Sequence, residues 1–144
     1  MSLVVNKKIT LTYEVKERIE AGLELLGFEV KALRAKLGAL DGARILIRGG
    51  EAYAVGIFIP PYQSNNTPKD YDAHRTRRLL LKKKDMEHIL REEDTHDLTS
   101  IPISLYLKKN LVKCEIGLCK KLQKHDKRES IKKNIALREA RVRE

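Results

Sequence analysis

The chain has 144 residues and a mass of 16.6 kDa, enough for one domain with a real core and too short for two large catalytic domains. Thirty Lys and Arg against 20 Asp and Glu leave a formal charge of +10 and a pI near 9.7, which selects a polyanionic partner, nucleic acid ahead of an anionic membrane. A bilayer-spanning helix needs roughly 20 apolar residues, whereas the longest nearly apolar stretch is residues 52–59 and Leu3-Val4-Val5 is no signal-peptide core, so a soluble, cytoplasmic protein is expected.

Val15, Ile19, Leu23 and Leu26 recur at i, i+4, i+8 and i+11 before Gly27, which predicts an amphipathic helix over residues 14–26 with an acidic exposed face. Short strands are predicted after it, over residues 28–34, 43–48, 52–59, 78–81, 101–107 and 111–118. Gly49-Gly50 and Lys109-Asn110 read as tight hairpin turns, residues 60–77 as a polar loop and residues 84–92 as a second short helix. The fold class expected is mostly β: a small antiparallel barrel of the oligonucleotide-binding (OB) type, closed or nearly so, with two or three short helices and a basic C-terminal tail.

Charge divides the chain into a barrel over residues 1–119 and a tail over residues 120–144. The tail holds ten Lys or Arg and four acids, more than half of the net charge. Its sizeable apolar residues, Leu122, Ile131, Ile135, Leu137 and Val142, are too few to offset ordering entropy, so the tail is expected to be disordered when free. Ile131, Ile135 and Val142 fall at i, i+4 and i+11, a stripe suited to a helix that forms on a partner.

Cys114 and Cys119 lie five positions apart in a predicted strand, and odd spacing sends them to opposite faces, so two reduced thiols are expected. His74, His88, His96 and His125 lack ligand spacing, and neither a metal nor a cofactor is expected. Glycine-rich phosphate loops, GxSxG and HExxH are all missing from the sequence, and acids such as Glu92-Glu93-Asp94 read as a solvated surface, so no enzyme activity is expected. Arg75, Arg77, Arg78, Lys82, Lys83 and Lys84 place six cations within ten residues around Leu79-Leu80-Leu81, a basic surface able to follow a phosphate backbone. With two Phe, five Tyr and no Trp, recognition of a folded RNA by shape and phosphates fits better than stacking of successive single-stranded bases.

Several strings together resemble a known family: Asn6-Lys7-Lys8 with Tyr13, Glu20-Ala21-Gly22-Leu23, Gly27-Phe28-Glu29-Val30-Lys31-Ala32-Leu33-Arg34, Gly50-Glu51-Ala52, Arg75-Thr76-Arg77-Arg78-Leu79-Leu80-Leu81, Leu105-Tyr106-Leu107-Lys108 and His125-Asp126-Lys127-Arg128. In order and spacing they resemble the bacterial SsrA-binding proteins, also called small protein B. The resemblance implies an OB-type barrel without catalytic activity. It would act as a monomer, bind transfer-messenger RNA (tmRNA, the SsrA RNA) and carry it to ribosomes stalled on messages lacking a stop codon. It further implies that Asn6, Tyr13, Glu20 and Leu80 touch the transfer-RNA-like domain, with Lys113 and Lys120 near its phosphates. By the same resemblance His125, Asp126, Lys127, Arg128, Arg138, Arg141 and Arg143 line a tail that is helical in the empty messenger channel, next to the decoding site of the small subunit. The chain departs from the family pattern at Ala32, Arg44, Lys121 and Leu122, where a serine, an aromatic, a hinge glycine and a lysine are usual. Two other readings stand beside this one: a generic OB-fold ribosomal or initiation-type factor, and an RNA-modifying enzyme, which would need a convergent acid, base or nucleophile cluster.

Overall fold

The computed structural model describes residues 2–62 and 67–122. Seven strands, β1 (Ser2–Val5), β2 (Tyr13–Leu23), β3 (Arg44–Arg48), β4 (Glu51–Val55), β5 (Arg77–Leu80), β6 (Thr99–Lys108) and β7 (Leu111–Lys121), form one sheet in the order β1-β6-β7-β2-β5-β4-β3. Every pairing is antiparallel. Helices α1 (Ile9–Thr12), α2 (Gly27–Arg34) and α3 (Lys83–His96) fill the connections. The sheet curls until edge strand β3 faces the start of β6 across a cleft of about 350 Å³, lined by Arg44, Leu46 and Val55 on one side and Leu98, Thr99 and Ser100 on the other. The expected mostly β, OB-like barrel is therefore present, with a seam in place of full closure. Among the described residues no helix is long and apolar enough to cross a membrane.

Both expected hairpins form. Gly49 and Gly50 (φ 61° and 76°) join Arg48 to Glu51, and Lys109 and Asn110 (φ 52° and 65°) join Lys108 to Leu111. Positive φ at both central residues gives the turn whose twist matches that of the flanking strands. The strand expected over residues 52–59 ends at Val55, where Gly56 takes φ 85° and turns the chain.

Two assignments from periodicity are corrected. The helix expected over residues 14–26 is strand β2, and the strand expected over residues 28–34 is helix α2. In β2, Ile19, Ala21 and Leu23 face the core at a spacing of two while Arg18 and Glu20 face out. Val15, Ile19 and Leu23 stand four apart, a spacing that fits a helix face as well as alternate strand positions, and a bulge after Val15 turns Val15 to the side opposite Ile19. In α2 the buried residues are Glu29, Ala32 and Leu33, at i, i+3 and i+4, so the position that completes the helical pattern carries a carboxylate.

That carboxylate has no solvent exposure, and neither does the guanidinium it meets, that of Arg77 on β5. Arg77 Nε and Nη2 donate to Glu29 Oε2 at 2.9 and 2.6 Å. The remaining Arg77 donors reach the Ile57, Arg75 and Ala73 carbonyls and the Tyr71 hydroxyl at 2.6–3.1 Å. Glu29 also accepts from the Leu26 N–H at 2.7 Å, from the Tyr71 hydroxyl at 2.8 Å and from both Arg75 Nε and Nη2. The Leu26 bond ties the carboxylate back to the first turn of its own helix, and Phe28 packs edge-on against Tyr71 with ring centroids 4.7 Å apart. Among the described residues no buried side-chain nitrogen or oxygen lacks a partner.

Arg77 is thereby corrected as a member of the basic surface, because a cation fully enclosed by Glu29 and backbone carbonyls cannot reach a phosphate. Arg75 is largely withdrawn as well, since Glu29 holds its guanidinium, and Arg78 pairs with Glu51 at 2.8 Å. Lys82, Lys83 and Lys84 remain exposed where the chain enters α3.

Removing one partner of a buried ion pair strands the other charge, so Arg77→Met is expected to destabilise the barrel by about 3–5 kcal/mol, read from urea unfolding. Burial alone would raise the Glu29 carboxyl, but hydrogen bonds from Arg75, the Leu26 N–H, Arg77 and Tyr71 outweigh it and hold the group below the usual carboxylate range. A carboxyl lowered in the folded state contributes stability that is complete above its unfolded value and is lost as pH falls through the folded one. Acid unfolding followed by far-ultraviolet circular dichroism should therefore steepen below about pH 4.3, the unfolded carboxyl value. Glu29→Gln, weaker at neutral pH, should flatten that limb.

Candidate nucleic-acid interface

Residues directly opposite in an antiparallel pair point to the same side of the sheet, so the register builds the outer face strand by strand. Across β2 and β7 the outward pairs are Tyr13 with Lys121, Val15 with Cys119, Arg18 with Gly117, Glu20 with Glu115 and Gly22 with Lys113. On the far side of β7, Ser104 stands opposite Glu115 and Tyr106 opposite Lys113. On the far side of β2, Gly22 stands opposite Leu80. One row of the face thus reads Leu80, Gly22, Lys113, Tyr106, and the next reads Glu20, Glu115, Ser104.

Tyr13, Glu20, Leu80 and Lys113 share this face, and the bulge at Lys16 brings that about. Tyr13 and Glu20 are seven positions apart, which would place them on opposite sides of a regular strand. The register steps from Val15 opposite Cys119 to Glu17 opposite Leu118, and the added residue restores Tyr13 to the side of Glu20. Below Tyr13 a small apolar cluster of Ile9, Ile101, Ile103 and Cys119 supports that end, with Tyr13 and Val15 packed against it. Gly117 is required there, since a Cβ would stand 2.4 Å from Ile103 Cδ1.

Leu80 is 53% exposed, and it lies over Gly22. A Cβ at Gly22 would approach Leu80 Cβ to 3.2 Å, so the glycine gives the leucine room to lie close to the sheet. Asn6 is almost buried, its N–H donating to the Ile103 carbonyl at 2.7 Å. It borders a cleft of about 190 Å³ that Lys8, Thr12, Tyr13 and Arg44 also line, at the Tyr13 end of the face. Lys120 is not brought to this face. It pairs with Glu14 and sits seven positions from Lys113 along β7, whose pairing with β2 takes its one extra residue from β2, so it points to the opposite side. There it lines a cleft with Lys16, Glu92, His96 and Leu98 beside α3.

Glu20 is exposed on β2, and sequence reasoning missed the residues around it. The Tyr106 hydroxyl donates to Glu20 Oε2, and Lys108 Nζ donates to Oε1 at 3.3 Å. The Tyr106 bond lowers the Glu20 carboxyl, burial opposes slightly, and Lys108 and Lys113 add to the lowering. Burial and the bond to Glu20 push the Tyr106 phenol up, so it stays a neutral donor. Glu115, next to Glu20, accepts from Arg18 Nη1 and from Ser104 Oγ, the latter at 3.3 Å. Tyr106 and Lys108 are 86 and 88 positions from Glu20, so no local spacing announces the cluster.

Cys114 and Cys119 are free and on opposite faces, as expected from their spacing. Burial pushes their thiols up to about 12 and about 11. Among the described residues no three His, Cys, Asp or Glu stand together as metal ligands. Lys121 is a paired strand residue, and the Leu122 N–H donates to the Thr12 carbonyl at 2.9 Å, so the ladder runs straight through the position where a hinge glycine is usual. His125, Asp126, Lys127, Arg128, Arg138, Arg141 and Arg143 lie outside the described residues.

A small antiparallel barrel with an OB-like strand plan and a polar, lysine-bearing outer sheet face belongs to the class of nucleic-acid-binding β proteins. The SmpB protein family model matches residues 3–143, and the chain belongs to that family. It is 40% identical over 133 residues to the SsrA-binding protein of Paraburkholderia xenovorans, spanning 92% of this chain and 90% of that one. To the SsrA-binding protein of Mesoplasma florum it is 44% identical over 131 residues, spanning 91% and 88%. A solved chain described as "tmRNA-SmpB: a journey to the center of the bacterial ribosome" superposes with a TM-score of 0.68 at 30% identity, covering 88% of this chain and 92% of that one.

Proposed function

We propose that the chain binds the transfer-RNA-like domain of tmRNA through the outer face of β5, β2, β7 and β6 and delivers it to stalled ribosomes. The observation that carries this reading is the agreement of two independent lines. The family match runs along nearly the whole chain. The sheet register gathers Tyr13, Glu20, Leu80 and Lys113, distant in sequence, on one side. The face suits a folded RNA. Lys113 offers a phosphate contact, Tyr13 a ring with a hydroxyl, Leu80 an apolar surface for a sugar or base, and Glu20 an acceptor for base N–H groups. Residues 123–144, rich in Lys and Arg, would supply the second function, filling the vacant messenger channel as a helix that forms on contact. A generic RNA-binding barrel would instead bind unrelated structured RNAs equally well, and competition with total transfer RNA separates the two.

Neutralising phosphates releases counterions, so about five Lys or Arg contacts give a log–log salt slope on the order of −4. Lys113→Met is expected to make that slope shallower by about one and to weaken binding regardless of sequence. Lys120→Met, on the other side of the sheet, should leave the slope for the isolated RNA domain unchanged. Filter binding at four salt concentrations reads both; equal effects from the two lysines would refute the single-face assignment.

Cutting the chain after Lys124 leaves the whole face in place, so affinity for the RNA domain should fall only modestly. Peptide tagging on a truncated message in reconstituted translation should be lost. Tagging at the parental rate by the shortened chain would make the tail an electrostatic accessory.

A further inference from the structure

We propose that Glu20 reads the Watson–Crick edge of an unpaired guanine in the bound RNA and that Tyr106 is the positioning residue that aims it. This rests on the RNA-binding face assigned above. Glu20 stands directly opposite Glu115, and like charges in that relation destabilise a sheet. The surroundings treat the two carboxylates differently. Arg18 and Ser104 hold Glu115, whose side chain is 26% exposed, whereas Glu20 keeps 42% of its side chain exposed beyond its own partners.

Those partners take one position on each Glu20 oxygen. Tyr106 donates to Oε2 and Lys108 to Oε1. A carboxylate oxygen accepts through two lone pairs, so each retains one for a ligand, and bonds to both oxygens restrain the rotation of the group. Two parallel N–H donors complement them. Guanine offers this pair, its N1–H and N2 amino group being adjacent. Adenine and cytosine set one amino group beside a ring acceptor, and uracil sets one N–H between two carbonyls, each of which turns an oxygen or nitrogen lone pair toward the carboxylate. Lys113, one row away, offsets the repulsion that an anion on an RNA face would otherwise meet from phosphates. Without the Tyr106 hydroxyl the carboxylate regains rotational freedom and loses the aim while keeping its charge.

The test uses the full chain and the transfer-RNA-like domain of tmRNA, with unpaired guanines replaced one at a time by inosine, which lacks the N2 amino group, or by 7-deazaguanine, which is altered on the other edge. One inosine position should weaken binding about tenfold, the discrimination that a good bidentate contact supplies. The 7-deaza substitution there should have no effect. Glu20→Gln should weaken the guanine RNA and bind the inosine RNA no worse. Tyr106→Phe should melt like the parent yet lose most of the discrimination between guanine and inosine. Lys108→Met, which frees the other oxygen, should do the same and stands in should Tyr106→Phe fail to fold. Parental affinity for Glu20→Gln would overturn the RNA-binding face itself. Weakened Glu20→Gln binding with no sensitive inosine position would overturn the guanine assignment and leave the face standing. Full discrimination in both Tyr106→Phe and Lys108→Met would overturn the positioning role alone.

Discussion

Inside the barrel the Glu29 carboxylate and the Arg77 guanidinium hold each other with no exposure to solvent, and the geometry of the outer surface follows from that contact. Arg77 opens strand β5, whose residues alternate buried and exposed through Leu80. With Arg77 anchored inward on α2, Leu79 must enter the core and Arg78 and Leu80 must face out. A slip of one residue would bury Leu80 and expose Leu79. The pair also closes the segment before β5, because Arg77 bonds to the Ala73 and Arg75 carbonyls and Glu29 accepts from Tyr71 and Arg75. A buried ion pair need not stabilise more than an apolar replacement would. Its value here lies in specifying one register for the strand that presents Leu80.

The two glutamates illustrate how environment divides one chemical group into two tasks. Glu29 receives donors on every side and is consumed by structure. Glu20 receives one donor on each oxygen and stays open to solvent. Both carboxyls are held below their usual range, yet for different reasons. Burial opposes ionisation at Glu29 and the guanidinium network overcomes it, whereas a single phenol dominates at Glu20. An interior carboxylate so fully satisfied has no acceptor left for a ligand; an exposed one aimed by two neighbours has.

An RNA adaptor must grip one RNA firmly while engaging a second surface, and the architecture separates these demands. The residues proposed to grip the RNA sit on a sheet face whose rows are fixed by hydrogen-bonded register, which favours a preorganised contact. More than half of the net charge lies in residues 120–144, whose sequence is poor in large apolar residues. The ladder that carries β7 through Lys121 to Leu122 takes the chain out beside Thr12, at the Tyr13 end of the face. The described chain is therefore paired as far as Leu122, with Lys121 held in the ladder.

Sequence alone determined the elements whose physics is local. The hairpins at Gly49-Gly50 and Lys109-Asn110 follow from residues that tolerate positive φ, the two thiols from their odd spacing, and the basic tail from composition. The resemblance carried by strings such as Gly27 to Arg34 and Arg75 to Leu81 named the site residues. It could not say which of them share a side. Strands β1 and helix α1 were not legible, being short segments stabilised by pairing with β6 and packing on Ile101 and Ile103. Helix and strand were exchanged over residues 14–34 because large apolar residues four apart fit a helix face and a strand face alike, and because a buried Glu29 has no meaning until Arg77, 48 positions later, is beside it. The same distance explains why Arg77 reads as a surface cation and why Tyr106 goes unnoticed next to Glu20. Tertiary structure decided these points, since the energy of a charge depends on what stands within a few ångströms of it, and sequence order does not encode that separation.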